Sequence, residues 1–260
     1  MKENRKETMK RALKFTAVMI PIAAIGGYFT GKYAYSSYTE EVQQLLISQM
    51  GSIDGLAVFA MVQSVMYAVF CAFVGYLLAE SVGLMKPLKY EKEKLTKAGI
   101  ITLICGILFG MDYWTFGKIL PEVAADYESG ITIRSFDNWM ASIFYGGVIE
   151  ELLIRLFVMS LVSLIIWKLF FRKKSKEEIP EGVFIAANIF SAFVFAAGHL
   201  PTTVSMFGGL TPLVVFRCFL LNGGLGYTFG WMYRKYGIQY SIIGHMGTHI
   251  ISKLIWLLFV

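Results

Sequence analysis

Apolar positions gather into seven runs, near residues 15–35, 56–84, 98–118, 139–171, 183–200, 210–233 and 239–258. A helix needs about 20 predominantly apolar residues to cross a bilayer, and these runs meet or approach that length. The pattern predicts an all-α fold: a polytopic integral-membrane helical bundle with about 7–8 transmembrane helices, forming one domain over 1–260. The run 139–171 is 33 residues long. That is about 50 Å at 1.5 Å per residue, so it is expected to bend, split or continue beyond the bilayer, leaving room for an eighth element. Glycines four apart (Gly27/Gly31, Gly106/Gly110 and Gly226/Gly230) put small residues on one helix face, where backbones can approach closely.

Composition agrees with a lipid solvent. Hydrophobic residues make up 56% of the chain and charged residues only 16%, against about 25% charged in soluble domains. This excludes an ordinary soluble enzyme, a disordered chain and a nucleic-acid module. The net charge of +6 is distributed in clusters. Lys10, Arg11 and Lys14 precede the first run, Lys86 to Lys97 follow the second, and Arg172 to Lys176 follow the fourth. The segment between the third and fourth runs carries Glu122, Asp126, Glu128 and Asp137. The positive-inside rule then predicts seven crossings with a cytoplasmic N-terminus, and the lysine-rich, compact, single-domain chain is expected in a bacterial plasma membrane. The basic N-terminus resembles a secretory signal, but the first apolar run is long and is read as a retained span. Cys71, Cys105 and Cys218 are isolated inside apolar runs and read as core residues.

Charge inside a span is costly, about 2.5–3.5 kcal/mol per residue at mid-membrane. Glu150, Glu151 and Arg155 all fall inside the fourth run. Glu151 and Arg155 are i,i+4 and can pair along one helix face. Glu150 projects about 100° away and has no local cation. The chain has three histidines, His199, His245 and His249, all in apolar runs, the last two i,i+4. Glutamate and imidazole can take a proton from water, and imidazoles can donate hydrogen bonds to a developing oxyanion.

Three motifs, Glu150-Glu151-x-x-x-Arg155, Phe195-x-x-x-His199 and His245-x-x-x-His249, occur in that order on separate runs. Together they resemble the CPBP family, which comprises the type-two CAAX prenyl proteases and the bacteriocin-processing Abi proteins. The resemblance covers about 139–258 and implies an intramembrane endopeptidase acting on a peptide or membrane-protein substrate. It implies catalytic roles for all six motif residues. On this reading Glu150 with His199 is expected to activate water, His245 and His249 to stabilise the oxyanion, and Glu151 with Arg155 to hold the glutamate helix, the division between the two glutamates following from helix geometry. The family carries Asn or Asp where this chain has His249. No cofactor is expected. The alternative is zinc held by Glu150, His199, His245 and His249, although the His-Glu-x-x-His pattern of zinc proteases is absent. Rival functions are a non-catalytic immunity or scaffold protein, and a transporter with Glu150, Glu151, Arg155, Arg217 and Lys253 along its path. Asp112, a solitary acid near a span end, is read as a membrane-interface residue, and Arg217, unexplained by the motifs, is expected to snorkel, to contact a substrate carboxylate or anionic lipid, or to pair with an acid elsewhere.

Overall fold

The computed structural model describes residues 2–38 and 40–260. Seven helices among them are long and apolar enough to cross a membrane: Arg5–Ser36, Ile53–Val82, Lys92–Lys118, Phe136–Phe170, Glu181–Phe207, Pro212–Tyr236 and Ile238–Phe259. They are called here the first to seventh spans, and no strand occurs among the described residues. Shorter helices such as Glu40–Met50 and Pro121–Glu128 connect them and cannot cross a bilayer. The protein is therefore a seven-span integral-membrane bundle. Its outer surface is apolar, as lipid requires: Met66 is 66% exposed, Leu108 62% and Leu258 71%.

The long fourth span stays one continuous rod, and it forms the hub. The first and seventh spans pack on its N-terminal half, the second and fifth on the half that follows. It accommodates its length through two stretches of wider π-helical turns, Ala141–Ile149 and Leu152–Met159. Such turns are uncommon and recur at functional sites. Glu150 and Glu151 sit between the two stretches. Ser135 caps the start of this span by accepting from the Asn138 amide at 3.2 Å, satisfying one of the orphan donors of the first turn.

Small residues set the spacing between spans. A Cβ on Gly27 would lie 2.5 Å from Ser64 Cβ, and one on Gly31 2.8 Å from Ala57 Cα, so both glycines admit the second span against the first. Gly106 and Gly110 receive Ile251 and Ile255 of the seventh span. Gly226 and Gly230 admit Phe195 and Asn188 of the fifth. All three pairs act as packing faces. The three cysteines are buried and free.

Replacing Gly27 by Val is expected to lower stability by about 1–3 kcal/mol, the usual range for overpacking. Nothing lies within 4 Å of a Cβ on Gly99. Gly99→Ala is therefore expected to be neutral, or stabilising by no more than about 1 kcal/mol through helix propensity. Thermal unfolding in detergent, monitored by circular dichroism, checks both variants.

Candidate active site

The fourth, fifth, sixth and seventh spans bring five of the six motif residues into one polar cluster and set the sixth at its edge. Glu151 is its most enclosed member, 0% exposed. One carboxylate oxygen accepts from the Ser241 hydroxyl and lies 3.4 Å from Arg155 Nε. The other pairs with His245 Nδ1 at 2.9 Å. The Arg155 guanidinium is equally buried. It donates from Nη2 to the Gly226 carbonyl at 3.1 Å and lies over the Phe195 ring at 4.5 Å. The i,i+4 pairing of Glu151 with Arg155 thus exists and extends across the bundle. A carboxylate with three partners has little lone-pair capacity left for a substrate, so Glu151 is suited to hold and orient.

Glu150 is placed differently. Its side chain retains 24% exposure, and its Oε2 faces His245 Nε2 across 3.9 Å. Gly146, one turn before, lets the His249 ring approach the helix closely: a Cβ there would lie 3.1 Å from His249 Nε2 and 3.9 Å from Glu150 Oε2. Gly147 lets the seventh span approach until Met246 touches its backbone. These two glycines put Glu150 level with His245 and His249.

Hydrogen bonding decides the histidine tautomers. An ionised Glu151 can only accept, so His245 donates from Nδ1 and its Nε2 carries a lone pair toward Glu150. His199 Nδ1 bonds the Phe195 carbonyl at 2.8 Å, which also only accepts, so its Nε2 is likewise a lone pair. No hydrogen bond engages the His249 ring among the described residues. The His245 ring is stacked between Phe229, at 4.6 Å, and His249, at 5.0 Å. This stack gives the imidazole at position 249 a packing role that an Asn or Asp side chain would not supply.

Some expectations need adjustment. His199 sits edge-on to Phe195, whose ring also edges His245, and it makes no hydrogen bond or ion pair with Glu150 among the described residues. Glu150, His199, His245 and His249 do not converge as a metal-binding group among the described residues, because His199 is held back by its bond to Phe195 and His245 is turned by Glu151. Asp112 is not a solitary acid. It is 1% exposed and takes both guanidinium donors of Arg217 and the Tyr127 hydroxyl. Arg217 is thereby engaged away from Arg155. Lys253 is buried and faces the Trp139 ring at 6.0 Å.

Ser241 and Phe229 escaped the sequence reading. Ser241 had a signal: Ser241, His245, His249 and Lys253 recur every four residues, one polar stripe on an otherwise apolar helix. Phe229 lies on another span and carries no local mark.

Removing Arg217 would strand a buried carboxylate. Arg217→Ala is expected to cost about 3–5 kcal/mol, while the double variant Arg217→Leu with Asp112→Leu recovers much of that loss. Thermal unfolding of the single and double variants measures the difference.

No curated protein and no solved structure gives a significant match to this chain. A family model does, the one described as Rce1-like, type II CAAX prenyl endopeptidase, over residues 133–251. The matched stretch contains all six motif residues, together with Ser241, Phe229 and Gly226. Over residues 133–251, somewhat less than half of its length, the chain is thus similar to the Rce1-like, type II CAAX prenyl endopeptidase family.

Proposed function

We propose that this protein is an intramembrane endopeptidase that hydrolyses a peptide or membrane-protein substrate with water activated at Glu150. The observation that carries this is the facing of two acceptors, Glu150 Oε2 and His245 Nε2, across 3.9 Å. Two lone pairs so placed are satisfied by one water molecule donating a hydrogen to each. That water turns its own lone pairs away from both groups, toward an incoming carbonyl carbon.

Attack transfers one water proton to Glu150 or His245 as the C–O bond forms. Where His245 takes it, Glu151 supplies the counter-charge to the imidazolium, the role a buried carboxylate plays beside a catalytic histidine. The protonated Nε2 and a His249 N–H then face the tetrahedral oxyanion. The captured proton passes to the departing amine nitrogen as the C–N bond breaks, giving a carboxylic acid and an amine. His199 offers a further acceptor at Nε2, and Arg155 keeps Glu151 ionised and aligned. This division assigns base chemistry to Glu150 and positioning to Glu151. It also makes His245 an acceptor first and an oxyanion donor only after protonation.

The reading extends to location. Basic clusters at one set of span ends and acidic segments at the other support an N-terminus in the cytoplasm, and the lysine-rich, compact chain supports a bacterial plasma membrane.

Glu150→Ala is expected to lower peptide cleavage by about 10²–10⁴-fold, the range for loss of a general base. His249→Asn keeps a donor at that position and is expected to retain activity, whereas His249→Ala loses up to about 10²–10³-fold. Comparative peptidomics of cells carrying wild-type and Glu150→Ala protein identifies the substrate. Unchanged cleavage in Glu150→Ala, His199→Ala and His245→Ala alike would sink the proteolytic reading. Chelators are expected to leave the purified enzyme active. Stoichiometric zinc whose removal abolishes cleavage would establish the zinc-dependent route instead.

A further inference from the structure

A second feature lies at the end of the bundle that carries the basic clusters. The first and seventh spans both pack on the fourth but share no extended interface with each other. Between them runs a lateral cleft of about 1020 Å³, at the upper limit of the ~300–1,000 Å³ usual for small-molecule sites.

Its walls follow helical periodicity. Phe15, Val18, Met19 and Ile22 of the first span line one side, the i, i+3, i+4, i+7 spacing of a single apolar face. Ile238, Ile242 and Met246 of the seventh span line the other, and Phe144 and Val148 of the fourth form the floor. Such a surface accepts hydrocarbon.

The mouth is cationic. Arg11, Lys14 and Lys86 border it against one carboxylate, Glu80, which already pairs with Arg11 at 3.5 Å. Lys14 and Lys86 are in no ion pair among the described residues. Burial, with the neighbouring Lys94, Arg234 and Lys235, holds the Lys86 ammonium below the usual lysine range. Basic pockets between transmembrane helices at a cytoplasmic surface bind anionic lipid head groups.

We propose that this cleft is a binding site for one anionic glycerophospholipid, its phosphate held by Arg11, Lys14 and Lys86 and its acyl chains lying between the first and seventh spans. Charge complementarity selects this occupant over a neutral chain: Arg11, Lys14 and Lys86 outnumber the single carboxylate, Glu80, at one end of a mostly apolar slot. The site is separate from the catalytic cluster but shares its supports. Met246 follows His245 in sequence, and Val148 lies two residues before Glu150.

The test uses the full-length protein reconstituted in nanodiscs containing phosphatidylglycerol and phosphatidylcholine of matched chains, with retained lipid identified by native mass spectrometry. Phosphatidylglycerol is expected to be retained preferentially, one molecule per chain. The double variant Lys14→Ala with Lys86→Ala is expected to bind it about 30-fold more weakly, at the usual contribution of a cation near an anionic membrane surface. Val18→Trp, which fills the slot, is expected to reduce retention while the three cations remain. Equal retention of both lipids by the wild type, or undiminished retention in the lysine double variant, overturns the proposal. Displacement of the lipid by millimolar glycerol 3-phosphate would show that a soluble phosphate is the ligand and overturn it too. So would loss of peptide cleavage in Val18→Trp with lipid retention intact, which would give the cleft to the substrate. The lysine variant alters only polar side chains at the cleft mouth, so the test stands even where Val18→Trp fails to fold.

Discussion

The Glu151 carboxylate is the fixed point of this bundle. An ion taken out of water costs several kcal/mol even after relaxation, and here the cost is met by ligands drawn from the same span and from the seventh. Arg155 compensates the charge from one turn away, and Ser241 and His245 close the shell. The guanidinium is tied in turn to the sixth span at Gly226 and laid on Phe195 of the fifth. Each of these contacts needs the others, because a buried charge missing one partner is far less tolerable than one never introduced. The three spans that carry the motifs, together with the sixth, are consequently held in one register.

That register turns a set of ordinary side chains into a directed one. His245 would be an unremarkable buried imidazole without Glu151. With it, one nitrogen is committed to donate and the other presents a lone pair. The stack with Phe229 and His249 fixes the plane in which that lone pair lies. Glu150 lies outside that enclosure, facing His245 beside Gly146, where the His249 ring closes on the helix. Adjacent carboxylates in the chain thus receive opposite environments, one saturated and one open.

Much of this was legible in the residues. Seven apolar runs, the three glycine pairs and the Glu151–Arg155 pairing follow from periodicity and i,i+4 geometry, which depend only on neighbours in the chain. What escaped depends on partners far away in sequence. Asp112 looked isolated because Arg217 is 105 residues distant, and no local pattern announces such a pair. Phe229 is one apolar residue among many until its ring is seen beneath His245. The expected Glu150–His199 partnership assumed that residues sharing a motif set also share a hydrogen bond. The Phe195 carbonyl one turn earlier proves the nearer competitor.

The glycines of the first two spans carry a consequence of another kind. A Cβ on Gly26 would strike the backbone at Phe144 and Tyr145, and one on Gly75 the backbone at Leu156. These points flank the two glutamates, yet both glycines lie outside the stretch that matches the family. The unit that is recognisable by homology is therefore smaller than the unit that folds. The first two spans pack directly on the motif-bearing fourth, so a boundary drawn by comparison at residue 133 would cut through a packed interior rather than a seam.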